Sequence, residues 1–206
     1  MARHTLILGM GNPILTDDAV GVRLADDIGT ALSDHPDVDV MAECSVGGLN
    51  LLEHLEGYRR VVVMDAIHTE GGEPGSCYYF KATSLRPTAN LNNIHDANFA
   101  TALALGRKLG HDLPTDDQIH IFAVEVLDDL TFGSELTPEL TQAYPGFREL
   151  ILAGIRRILT EPILGNQEAA HGAHDRTERW PHGDSSTHPR GGPRPVTGLL
   201  RQPRPW

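Results

Sequence analysis

Residues 5–18 read TLILGMGNPILTDD. Leu6, Ile7 and Leu8 form an apolar run too short for an independent helix and closed by Gly9, the pattern of a buried strand. Gly9, Gly11 and Asn12 are residues that tolerate tight or left-handed turns. From Ala19 the period changes, and Val20, Leu24, Ile28 and Leu32 recur every four residues, as on the apolar face of a helix. A strand, a glycine turn and a helix in this order put Asp17 and Asp18 where a strand's carboxyl end meets a helix start. In open α/β sheets that is where ligands collect.

The pair has a structural reading as well, because an Asp in front of a helix is commonly a cap or a dipole partner. A dinucleotide fingerprint does not fit, since Gly9-x-Gly11 is followed by Ile14 where a third glycine is required. No GK[ST] follows, so the turn is not a P-loop, and two adjacent carboxylates would repel a phosphate. The loop suits a cation or a polar neutral group.

Outward from this stretch, Asp37–Cys44 alternates Val38, Val40 and Ala42 with polar residues, as expected of a strand near an edge. A turn at Ser45–Asn50 leads to a short helix carrying Leu51, Leu52 and Leu55 and ending near Gly57. Val61–Met64 is a run of four apolar residues that predicts a central strand buried on both faces, with Asp65 at its carboxyl end. Ser76–Ala82 reads as a further strand, reached through the Gly71-Gly72 and Pro74-Gly75 turns. Thr83–Ile94 reads as loop, and a helix is expected from Asp96 to Leu109, with Phe99, Ala102, Leu103 and Leu109 toward the core and Gly110 as its stop. Ile119–Val126 predicts a fifth strand, in which Ile119, Ile121, Ala123 and Glu125 alternate with a second set. Thr137-Pro138 predicts an N-cap with Pro at the first helical position, and the last helix runs to Leu159 with a kink at Pro145-Gly146. Strands interleaved with helices predict an α/β fold: three layers, a mostly parallel twisted sheet of about five strands, helices on both faces.

Composition divides the 206 residues in two. Residues 1–165 read as one globular domain, long enough to bury roughly two-thirds of its unfolded surface. From Asn166 apolar residues become scarce and Pro, Gly, His and Arg take over, so residues 166–206 are expected to be a disordered tail. The tail holds six Arg against four acids, a net +2, which leaves −13 on the first 165 residues out of −11 overall. An acidic body argues against nucleic acid and against an anionic membrane surface, and suits a basic peptide partner. Cys44 and Cys77 have no CxxC spacing, so neither a disulfide framework nor a structural zinc site is indicated. MARHTLIL carries no signal-peptide apolar region and no stretch approaches a membrane span, so a cytoplasmic protein is expected.

Three polar residues stand at comparable places: Asp18 after the first strand, Asp65 after Val61–Met64, and His95 at the start of the helix behind the long loop. Two carboxylates and an imidazole make a mixed oxygen and nitrogen set for a divalent transition metal. They serve equally as a general acid–base group without metal. Asp65 also has a structural reading, bonded to backbone amides at a strand end, and His95 one as a helix-start or surface histidine. No GxSxG elbow and no HExxH occur, against a serine hydrolase and a zincin.

The residues ILGMGNPILTDDAVGVRLADDI (7–28) resemble the N-terminal signature of the nickel–iron hydrogenase maturation proteases. That signature is Gly-x-Gly-Asn, a short apolar segment, Asp followed by Asp or Glu, and a nearby Gly, here Gly9, Gly11, Asn12, Asp17, Asp18 and Gly21. VVVMDAI (61–67) resembles the family's second motif at Asp65, NNIHDANFATAL (92–103) its third at His95, and FAVEVLDDLTFGSELTP (122–138) a further familiar segment. The resemblance spans roughly residues 4–160. It implies an endopeptidase that removes the C-terminal extension of a nickel-loaded [NiFe] hydrogenase large-subunit precursor, with Asp18, Asp65 and His95 as catalytic and metal-contacting residues. The nickel is implied to be carried by the precursor, cleavage to proceed without a serine or cysteine nucleophile, and the protein to be a monomer. Where many relatives have a Gly-Gly-Thr turn, this chain has Cys44-Ser45-Val46-Gly47-Gly48, a difference that bears on which hydrogenase is processed. The tail histidines His171, His174, His182 and His188 read as part of a solvated segment. The rival reading is a non-catalytic nickel-binding checkpoint or chaperone using the same three residues.

Overall fold

The structure, a computed structural model, describes residues 3–44, 50–85 and 94–163, and of residues 3 and 94–98 the backbone alone. The expected turn over residues 45–49, most of the loop before His95 and the tail lie outside the described residues. In chain order the elements are β1 (Arg3–Met10), α1 (Val20–Ala31), β2 (Val38–Cys44), α2 (Asn50–Leu55), β3 (Tyr58–Ile67), β4 (Cys77–Lys81), α3 (Ile94–Leu109), β5 (Ile119–Glu125) and α4 (Pro138–Thr160).

The strands form one sheet in the order β2-β1-β3-β5-β4. β1, β2, β3 and β5 pair in parallel and β4 runs antiparallel along the edge of β5. This is the mostly parallel α/β sheet expected, with β3 at its centre and β2 at an edge. Side chains alternate across the sheet because successive Cβ atoms point to opposite faces. Leu6, Leu8, Val61, Val63, Ile119 and Ile121 meet α2 and α3 through Leu51, Leu52, Leu55, Phe99 and Leu103. Ile7, Val62, Met64, Phe122 and Val124 meet α1 and α4 through Val20, Leu24, Ile28, Phe147, Ile151 and Ile155. Each fully buried Val, Leu or Ile contributes about 1.5–3 kcal/mol. All seven β5 residues are buried: the expected alternation sends Ile119, Ile121 and Ala123 to one face and Phe122 and Val124 to the other, and helices cover both.

One helix expectation is corrected. Leu109 is 66% exposed rather than in the core. The chain reverses at Gly110, with φ +90°, and Leu113 returns over Gly106, where an added Cβ would lie 2.9 Å from a Leu113 methyl. α4 continues through Pro145 and Gly146 as one helix, forgoing the N–H that Pro145 lacks.

The amino-terminal ends of the strands carry a buried polar group. Arg60 donates to the Ile158 and Glu161 carbonyls at 2.7 and 2.9 Å, satisfying the end of α4. Beside it, His120 shares a 2.8 Å hydrogen bond with the Tyr79 hydroxyl. Burial, then the positive charges of Lys81 and Arg60, push the His120 pKa down to about 3. The folded protein thus binds this proton less readily than the unfolded chain, whose histidine titrates near 6.5. The contribution is fully present above about pH 6.5 and is lost as pH falls toward 3. Denaturant unfolding of the wild type at pH 7 and pH 5 is expected to differ by about 2 kcal/mol more than in His120→Gln. Equal pH dependence in the two proteins would show that His120 is not the titrating group.

Candidate active site

The chain leaves β1 through α1 to β2 on one side, and β3 lies on the other side of β1. The connections diverge there, α1 packing on one face and α2 on the other, so the carboxyl ends of β1 and β3 flank the crevice where such sheets bind ligands.

Gly11 turns the chain with φ +131°, and a Cβ there would lie 2.0 Å from the Asp18 carbonyl oxygen. The Asn12 N–H donates to Asp18 Oδ2 at 2.7 Å, so the turn closes on the carboxylate. Gly21 seats the first turn of α1 on the strand ends, where a Cβ would lie 2.2 Å from the Met10 oxygen and 2.5 Å from that of Met64. Asp18 precedes Gly21 by three residues and Asp65 follows Met64, so both carboxylates belong to this junction. Each is half-buried. Gly9 differs from its expected role. It lies within β1, and its missing Cβ admits α1, since that atom would sit 2.7 Å from Ala25 Cβ.

Asp65 Oδ1 accepts the Ala66 N–H at 2.8 Å, the strand-end bonding anticipated for it. Its alternation with Val61 and Val63 turns it to the face covered by α3. His95 is the second residue of α3, and its side chain lies outside the described residues. The sixteen-residue helix extends about 24 Å. The chain then returns beside the start of β3, where Gly57 N–H bonds the Asp112 carbonyl at 2.8 Å. The opening turn of α3 therefore lies toward the strands' carboxyl ends, on the Asp65 face.

Asp17 does something else. It is fully buried and reaches the segment between β5 and α4. Its carboxylate accepts the N–H groups of Leu127, Asp128 and Thr137 at 3.2, 3.1 and 2.7 Å and the Thr137 hydroxyl at 2.9 Å. Thr137 stands at the N-cap of α4 as expected, but its hydroxyl serves Asp17 and makes no cap hydrogen bond. The same two loops are joined by Thr16 N–H and Oγ1 to the Thr131 carbonyl and by a bridge between Leu15 and Phe132. Adjacent carboxylates thus divide the work: Asp17 locks the two loops together, and Asp18, half-buried, closes its own turn by accepting the Asn12 N–H.

Glu125, fully buried at the end of β5, makes a second lock. It accepts Thr69 N–H and Oγ1 at 2.5 and 2.8 Å and the Tyr78 hydroxyl at 2.9 Å, holding the segment that follows Asp65. His68 and Asp129, 3.6 Å apart, join that segment to the β5–α4 loop. Burial pushes the Cys77 thiol up to about 12, which denies it thiolate character. Among the described residues no group of three or more His, Cys, Asp or Glu could hold a metal ion.

A family model described as hydrogenase maturation protease matches residues 22–154, more than half of the chain. This chain belongs to the hydrogenase maturation protease family. The hydrogenase 2 maturation protease of Escherichia coli K12 is 28% identical over 171 residues, 81% of this chain and 98% of the relative. The E. coli hydrogenase maturating endopeptidase HybD superposes with a TM-score of 0.58 at 25% identity, covering 75% of this chain and 93% of that one. The [NiFe] hydrogenase maturation protease HybD of Thermococcus kodakarensis shares the fold, with a TM-score of 0.52 at 22% identity over 77% and 99% of the two chains. The α/β architecture and the membership in a protease family expected from the motifs are thereby established. The family match begins four residues beyond Asp18.

Asp17, Thr137 and Glu125 were not singled out by sequence as structural locks. The single available signal was Glu125, a carboxylate ending a largely apolar strand, which must find donors when buried. Asp17 and Thr137 lie 120 residues apart, and nothing local couples them.

Proposed function

We propose that the protein removes the C-terminal extension of a nickel-loaded [NiFe] hydrogenase large-subunit precursor, using Asp18, Asp65 and His95. The observation that carries this reading is the junction at Gly21, where two half-buried carboxylates share the ends of adjacent central strands. The nickel belongs to the substrate, and carboxylate and imidazole donors suit it. Hydrolysis adds water oxygen to the scissile carbonyl carbon, while a carboxylate or imidazole takes the water's proton. A proton is then delivered to the amide nitrogen as the C–N bond breaks. The protein acts in the cytoplasm as a monomer, and none of its described helices is long and apolar enough to cross a membrane.

The test is incubation with nickel-loaded and nickel-free precursor while the mass of the large subunit is followed. Loss of a C-terminal peptide only with nickel, abolished in Asp18→Asn, Asp65→Asn and His95→Ala, is the expected result. Nickel-dependent binding with no change in mass would instead make the protein a checkpoint for metal loading.

A further inference from the structure

Four large apolar side chains stand in solvent on the loops that join β1 to α1 and β5 to α4. Ile14, Leu127, Leu130 and Phe132 are 58%, 47%, 80% and 76% exposed. They come from the two loops that Asp17 locks together, with Gly133 N–H bonded to the Ile14 carbonyl at 3.1 Å. Folding does not require this exposure, and contiguous exposed apolar surface marks interaction sites. The loops are also held rigidly. Asp128 Oδ1 accepts Leu130 and Thr131 N–H at 3.1 and 2.9 Å, so the side chains are presented by a fixed scaffold, at little ordering cost on binding.

We propose that these four residues form the docking surface for the body of the protein substrate, seated beside the bond that Asp18 and Asp65 address. This deepens the functional reading above and rests on it. Two observations choose the occupant. The patch is continuous with the site, since Ile14 and Asp18 share one loop and Asp17 N–H bonds the Asp128 carbonyl at 3.0 Å. The body that carries it is acidic, −13 over residues 1–165, and its border holds Glu135 and Asp129, paired with Arg23 and His68, so the complementary surface is an apolar centre with a net basic edge. A protease whose acidic body engages such a surface recognises a folded precursor and not merely an extended peptide. Specificity then comes from apolar anchors at the centre and charge at the rim.

The test uses full-length protein and the nickel-loaded precursor in single-turnover cleavage over a range of enzyme concentrations. Leu130→Ser/Phe132→Ser removes two exposed anchors. It is expected to raise the half-saturating enzyme concentration on the order of 30-fold, with the rate at saturation and the unfolding temperature unchanged. Leu109→Ser, equally exposed at the far end of α3, is the control and should change neither. Precursor binding is measured separately by calorimetry with the same variants. If the wild type binds without cleaving, the functional reading fails, while loss of binding in the double variant alone still supports the surface. Unaltered concentration dependence and binding in the double variant would overturn it. So would a wild-type dimer that the double substitution dissociates, which assigns the patch to a second copy of this chain.

Discussion

Asp65→Asn is expected to slow single-turnover cleavage of the nickel-loaded precursor by about 10³-fold, the scale of a lost general acid or base, while leaving the fold intact. The two parts of this expectation have separate physical origins. Asparagine keeps the size of the side chain and an oxygen able to accept the Ala66 N–H, now bonded at 2.8 Å. Stability should therefore barely move. What disappears is the negative charge, and with it the capacity to accept a proton or to favour a cation on the substrate. A thousandfold loss corresponds to about 4 kcal/mol of transition-state stabilisation. Measuring precursor binding alongside turnover divides the causes. Retained binding with lost cleavage assigns the charge to proton transfer, and loss of both assigns it to recognition of nickel. An Asp65→Asn enzyme that cleaves at the wild-type rate would remove Asp65 from the site.

Asp17→Asn is expected to act in the opposite order, on stability first and on cleavage as a consequence. The Asp17 carboxylate, fully buried, accepts four donors from a segment more than a hundred residues away. An amide replaces one of its oxygens with an NH2 group that must face N–H and O–H donors. The charge-assisted bonds weaken and a buried donor is left without an acceptor, at a cost of about 3 kcal/mol. For a domain of this size the unfolding temperature should fall by roughly 6–12 °C. Asp18→Asn, at a half-buried position one residue away, should cost far less stability and nearly all of the cleavage. Thermal unfolding of the two variants side by side checks this, and equal melting temperatures would contradict the division of labour between the neighbours. Because Asp17 couples the loop bearing Asp18 to the β5–α4 loop, its variant should also bind precursor less tightly at temperatures where it remains folded.

The two substitutions show what could and could not be read along the chain. The stretch from Thr5 to Asp18 was sufficient for the βα unit, since a short apolar run, a glycine turn and a four-residue apolar period are local signals. Val61–Met64 was sufficient for the central strand, because only a strand covered on both faces is apolar at every position. Leu109 misled because its period is correct but its helix ends there, and Leu113 fills the place from beyond the turn. Gly9 misled because a glycine that allows close packing looks the same in sequence as one that allows a turn. Only the position of α1 over the strand distinguishes them.

By itself the sequence determined the α/β class, the order of strands and helices, the membership implied by three spaced motifs, and the placement of Asp18, Asp65 and His95 at element ends. These follow from periodicity and turn chemistry, which act over a few residues. The tertiary structure alone decided that β3 lies between β1 and β5 and that Asp17 is a lock between distant loops while Asp18 closes its own turn. It also decided that Glu125 holds the segment after Asp65 and that Ile14, Leu130 and Phe132 are left exposed on the two joined loops. Each of these depends on which distant backbone amides a carboxylate meets, or on which faces remain uncovered once the helices have packed. Such pairings are set by burial and hydrogen-bond satisfaction across the whole fold, and no local pattern encodes them.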